Sequence, residues 1–107
     1  MPEKSKRRLL LESSLLEDPT DAFLRYGLAI QCLREGDLVE GRARLRALID
    51  DEAEGVVAAY QQLGQSFAES GEHDNASVTL RAGIRKATSL NDLHAASEME
   101  GLLETLG

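Results

Sequence analysis

Apolar positions recur along this chain every three or four residues, the period of a helix with one buried face, and strand-like alternation is absent. Six helical stretches follow from that pattern. The first covers about residues 4–17 and ends before Asp18-Pro19, because a residue preceding proline is pushed out of the α region. The second, about 20–34, can be capped by Thr20 or Asp21, and Gly36 supplies the left-handed residue that stops it. Asp37 opens a third, running to about 50, with Leu38, Gly41, Leu45, Leu48 and Ile49 on one stripe. Glu40, three residues after Asp37, predicts a capping box.

The polar segment DDEAEG (50–55) precedes a fourth helix, about 56–69, whose stripe is Val56, Tyr60, Leu63, Gly64 and Phe67 and which Gly71 ends. A fifth, about 73–89, turns Ala76, Leu80, Gly83, Ile84 and Ala87 inward, and Asn91 stops it. Asp92 starts the last, to about 106, with Leu93, Ala96, Met99, Leu103 and Leu106 inward. The expectation is an all-α fold in which short connections make successive helices antiparallel neighbours.

The pattern also repeats. At an offset of 35 residues Leu28 falls on Leu63, Ala29 on Gly64, Cys32 on Phe67, Gly36 on Gly71, Asp37 on Glu72 and Gly41 on Ala76, and LRALI (45–49) falls on LRAGI (80–84). Small residues are needed where paired helices cross, large apolar ones beside them, and a glycine at the tight turn. These positions resemble the tetratricopeptide repeat family, small bacterial-type proteins in particular, whose unit is a helix–turn–helix of about 34 residues. Tyr60, Leu63, Gly64 and Phe67 stand where the family has aromatic, leucine, small and aromatic residues, and Ala76, Leu80 and Gly83 where its second helix has small, large and small.

The earlier unit departs from that pattern. Arg25 takes the place of the aromatic, Cys32 that of the second aromatic, and Leu48 that of the last small residue. Phe23, Tyr26, Gly27 and Ile30 repeat the aromatic spacing two residues early, so the second helix has two readings of its register. The resemblance implies a single domain built as a short right-handed solenoid of stacked antiparallel helix pairs. Its parts are an N-terminal helix or half repeat (4–17), repeats at 20–51 and 56–89, and a capping helix at 92–106.

Composition narrows the function classes. Apolar residues make up 42% of the chain and charged ones 29%, the balance of a globular protein. The net charge is −7, and residues 50–107 hold three basic against eleven acidic side chains. Such a half repels phosphate backbones, so no nucleic-acid partner is expected. No apolar run approaches the roughly 20 residues that span a bilayer. The start, MPEKSKRRLLLESS, has too short an apolar run for a signal peptide and reads as the first helix. One cysteine, Cys32, fits a reducing cytoplasm.

Candidate chemistry is sparse. His73 and His94 fall in first turns without partners at metal-ligand spacing, Cys32 sits on an apolar stripe, and Ser13-Ser14 lack the glycines of a nucleophile elbow. No catalytic residue, metal or cofactor is expected. Arg25, Arg34, Arg42, Arg44 and Arg46, with Lys4, Lys6, Arg7 and Arg8, offer a grip for an acidic peptide or phosphate chain; the simpler reading pairs them on solvated faces with Glu35, Glu40 and Asp50.

In the tetratricopeptide family the groove is lined by outward positions of each unit's first helix. On this chain the resemblance points to Tyr26, Ile30 and Arg34, then Gln61, Gln65 and Glu69, as a groove for a protein or peptide partner in a non-enzymatic scaffold or adaptor. Members that bind chaperone tails hold a carboxylate with lysine and asparagine at such places; Tyr26, Ile30, Gln61 and Gln65 stand there here and do not support that activity. Beneath a first helix carrying Leu9, Leu10, Leu11, Leu15 and Leu16, the residues Phe23, Tyr26 and Ile30 are expected to be core rather than open groove. The alternative function is self-assembly, a homodimer through apolar end or groove faces.

Overall fold

A computed structural model describes residues 3–107. Among them are six helices: α1 (Lys6–Glu17), α2 (Ala22–Arg34), α3 (Leu38–Asp50), α4 (Val56–Glu69), α5 (His73–Ser89) and α6 (Leu93–Glu104). They fall into two compact units, Met1–Gly55 and Val56–Gly107. In the first unit α2 packs against both α1 and α3; in the second α5 packs against both α4 and α6.

The turns explain why the helices end where they do. Gly36, Gly71 and Asn91 adopt φ of 81°, 74° and 59°. Each places the next amide under the last turn: Asp37 N donates to Cys32 O (2.9 Å), Glu72 N to Phe67 O (2.9 Å) and Asp92 N to Ala87 O (2.8 Å). This is the Schellman closure, which satisfies carbonyls that a helix end leaves open. Glu52, at φ 48°, ends α3 the same way, with Ala53 N donating to Leu48 O at 3.0 Å.

The amide after each turn then begins the next helix. Asp37 and Asp92 cap α3 and α6 by accepting from the Glu40 and Ala95 amides, each at 3.2 Å. Glu72, one methylene longer, makes no side-chain cap bond. Asp21, not Thr20, caps α2, accepting from Leu24 N at 2.9 Å.

Burial follows the 35-residue offset. Leu28 and Leu63, Ala29 and Gly64, Gly41 and Ala76, and Leu45 and Leu80 are buried pairwise. Tyr26 and Gly27 are only half-buried, so the register that aligns Leu28 with Leu63 is the one the packing obeys. The first unit closes on Leu28, Ala29, Cys32, Leu45 and Leu48, all fully buried. In the second, Leu80, Ala87, Ala95, Ala96 and Met99 form the core, with Tyr60, Ile84 and Leu103 against it. A methyl group at Gly83 would stand 2.8 Å from Tyr60 Cβ and 2.6 Å from Met99 Sδ, so α5 can touch both neighbours only because this position has no side chain.

Two inward assignments are corrected. Leu93 is exposed, because the first residue of α6 lies about 120° around the helix from Met99, which faces the core. Phe23 is 84% exposed and does not pack beneath α1. Tyr26 and Ile30 are half-buried.

Candidate functional site

The six residues expected to meet a partner lie in two equivalent rows. Tyr26, Ile30 and Arg34 follow one another at four-residue spacing on α2, and Gln61, Gln65 and Glu69 do so on α4, each row being the other shifted by 35 residues. Four residues are little more than one turn, so each row shares a helix face. Tyr26, Ile30, Gln61 and Gln65 are half-buried, while Arg34 and Glu69, in the last turns, are exposed. The fully buried positions of the same helices, Leu28, Ala29 and Cys32 or Ala59 and Leu63, lie on other faces. Neither row belongs to the fully buried set of its own unit.

A second centre was not legible as a site. Arg8 is 4% exposed and lies among four carboxylates. Its Nη2 meets Asp37 Oδ2 at 2.8 Å and Glu40 Oε1 at 3.0 Å; Nη1 is 3.6 Å from Glu35 Oε1, and Nε is 3.6 Å from Glu12 Oε2. That Nε is buried without a hydrogen bond. Around this core Lys4 reaches Glu12 and Arg44 reaches Glu40, both at 2.8 Å. Ser5 donates a short hydrogen bond to Glu35, whose carboxylate also accepts from Gln31 Nε2 at 2.8 Å. An open cleft of about 570 Å³ is lined here by Arg8, Glu35, Gly36, Asp37, Leu38, Val39 and Glu40.

The charges tune one another. The hydrogen bond to Asp37 holds the Arg8 proton more firmly than in a free guanidinium, against the opposing effect of burial. Asp37 is shifted below the usual carboxylate range chiefly by that bond. Glu35 is lowered first by its bond from Ser5, and Glu40 first by its bond from Arg44. The capping box is therefore only half formed. Asp37 caps Glu40 N, but Glu40 turns its carboxylate to Arg8 and Arg44 rather than back to the Asp37 amide.

Cys32 borders the same centre, with Sγ 3.6 Å from Glu40 Oε2. It is fully buried, and burial pushes its thiol up to about 11. At neutral pH it is protonated and a poor nucleophile. Native chain should therefore react with a maleimide at least about a hundredfold more slowly than chain unfolded in urea. Equal rates in the two states would contradict a sealed first unit.

No protein-family model, curated protein or solved structure matches this chain. Of the expected basic grip, Arg8 is buried and Arg44 is paired with Glu40, while Arg25 reaches Asp51 at 2.7 Å. His94 Nε2 lies 3.5 Å from Glu98, Asp92 caps α6, and His73 is exposed. Among the described residues no group of three His, Cys, Asp or Glu is placed to hold a metal ion, and no helix is long and apolar enough to cross a membrane. The two rows comprise an aromatic and an aliphatic residue on α2, two amides on α4, and a charge of opposite sign at the end of each.

Proposed function

We propose that this chain is a non-enzymatic protein-binding module of the tetratricopeptide type, which takes a peptide or helix along the first helices of its two hairpins. In this reading the hairpins are successive units of a short right-handed solenoid in the cytoplasm. One observation carries it: the two rows occupy equivalent repeat positions and stay outside the fully buried core. Tyr26 and Ile30 would supply apolar contact area, Gln61 and Gln65 hydrogen bonds to a peptide backbone, and Arg34 an acidic group's counter-charge.

The test is affinity capture with the wild-type chain and with the double variant Tyr26→Ala/Gln65→Ala, each checked for helicity. Partners retained by wild type should be lost from the variant; equal capture by both would remove these rows from the function. A second reading, self-association, is favoured by one observation. Leu9, Leu10 and Leu16 on α1 are each more than half exposed, and exposed apolar faces are drawn together in water.

A further inference from the structure

Helix α1 carries apolar residues on two sides, and its own unit uses only one. Arg8, Leu11 and Leu15 turn toward the rest of the unit. On the other side Lys6, Leu9, Leu10, Ser13, Leu16 and Glu17 are all exposed, with Leu9 at 51%, Leu10 at 69% and Leu16 at 85%. At 100° per residue these six share a face about 120° wide, with Ser13 near its middle.

The charges on this face are ordered. Lys6 lies at its beginning and Glu17 at its end. We propose that it is the seam of a symmetric homodimer in which α1 pairs antiparallel with α1 of a second copy, about a twofold axis near Ser13. This arrangement sets Leu10 against the partner's Leu16 and the reverse. It also brings Lys6 within about one helical turn of the partner's Glu17, and the reverse.

A parallel pair would instead stack like charges at both ends, and align the two helix dipoles unfavourably. Ser13, the small residue of the face, lets the helices approach at the axis. The proposal gives the self-association reading a specific seam. It is independent of the rows on α2 and α4.

The expected affinity follows from size. A 12-residue helix is about 18 Å long, so one helix pair buries well under the roughly 800 Å² per partner of a standard interface. The dimer should be weak, with a dissociation constant on the order of 10–100 µM.

Sedimentation equilibrium from about 5 µM to 1 mM tests it. Wild type should pass from monomer to dimer over that range, and Leu10→Glu/Leu16→Glu should bind itself at least tenfold more weakly with an unchanged circular-dichroism spectrum, since both positions are exposed. Lys6→Glu and Glu17→Lys should each weaken self-association, yet form a mixed dimer with one another. Ser13→Cys should give a disulfide-linked dimer on oxidation, while wild type, whose Cys32 is buried, should not.

A chain monomeric at 1 mM would overturn both the seam and the self-association reading. A dimer indifferent to Leu10→Glu/Leu16→Glu would overturn the seam alone. A mixture of the two charge variants no tighter than either by itself would overturn the antiparallel order.

Discussion

Arg8→Ala is expected to destabilise the first unit by about 3 kcal/mol at neutral pH, the lower end of what losing one member of a buried ion pair costs. The lower end applies because Glu12, Glu35, Asp37 and Glu40 are all part-exposed and keep some water when the guanidinium is gone. Against a typical domain stability of about 5–15 kcal/mol this is a large fraction. Helix α1 should feel it most. Arg8 is the one buried residue of that helix, while its inward leucines, Leu11 and Leu15, are only half-buried.

The effect should also depend on pH, with a definite sign. Asp37 titrates below its unfolded value mainly because Arg8 donates to it, so the stability it contributes is complete above about pH 4 and fades as pH falls through its lowered folded value. Without Arg8 that contribution shrinks to what the Glu40 amide supplies, and the remaining carboxylates repel one another. Protonating them relieves the repulsion. The gap between wild type and variant should therefore narrow between pH 7 and pH 3.5.

Urea unfolding at the two pH values measures this, with amide exchange in α1 to localise the change. Arg8→Met, which keeps an apolar stem, should lose nearly as much as Arg8→Ala at pH 7. A methionine variant as stable as wild type, or a gap unchanged in acid, would show that packing and not charge holds α1.

Leu80→Ala should cost about 3–5 kcal/mol, the range for emptying a well-packed leucine site. Leu80 is fully buried at the centre of the second unit. Its neighbour makes the experiment more informative. A methyl group added at Gly64 would stand 2.5 Å from Leu80 Cδ2 and 2.7 Å from its Cγ. Gly64→Ala alone is thus expected to destabilise by about 1–2 kcal/mol, the overpacking outweighing the gain in helix propensity.

In the double variant the alanine methyl enters space that Leu80 has vacated. The pair should then be less damaging than the sum of its parts, by about 1–2 kcal/mol in a double-mutant cycle read by chemical denaturation. Strict additivity would mean that α4 and α5 do not meet at these two residues.

The helices were legible because local chemistry sets most of their ends. Asp18-Pro19, Gly36, Gly71 and Asn91 end helices through their own backbone preferences, and Asp21, Asp37 and Asp92 start them through their own side chains. The internal repeat was legible for a related reason: small residues at a helix crossing are required by steric contact, and sequence records residue size directly.

The Arg8 centre was not legible, because three of its four partners, Glu35, Asp37 and Glu40, are 27 to 32 residues away around the α2–α3 turn and in the first turn of α3. A faint signal existed. Arg8, Leu11 and Leu15 fall at i, i+3 and i+7, which places a charged residue on the inward stripe of α1. Periodicity cannot say what would neutralise it. Glu40 leaves its capping-box role for one distant partner, Arg8, and one local partner, Arg44.

What the chain determined by itself was the number, bounds and turn chemistry of its helices and the residues that must be small, all consequences of forces acting within a few residues. Only the tertiary structure decided that Arg8 goes in while Phe23, Leu93 and three leucines of α1 stay out. Those outcomes depend on which distant charges and surfaces a face happens to meet, and a one-dimensional pattern carries no record of that.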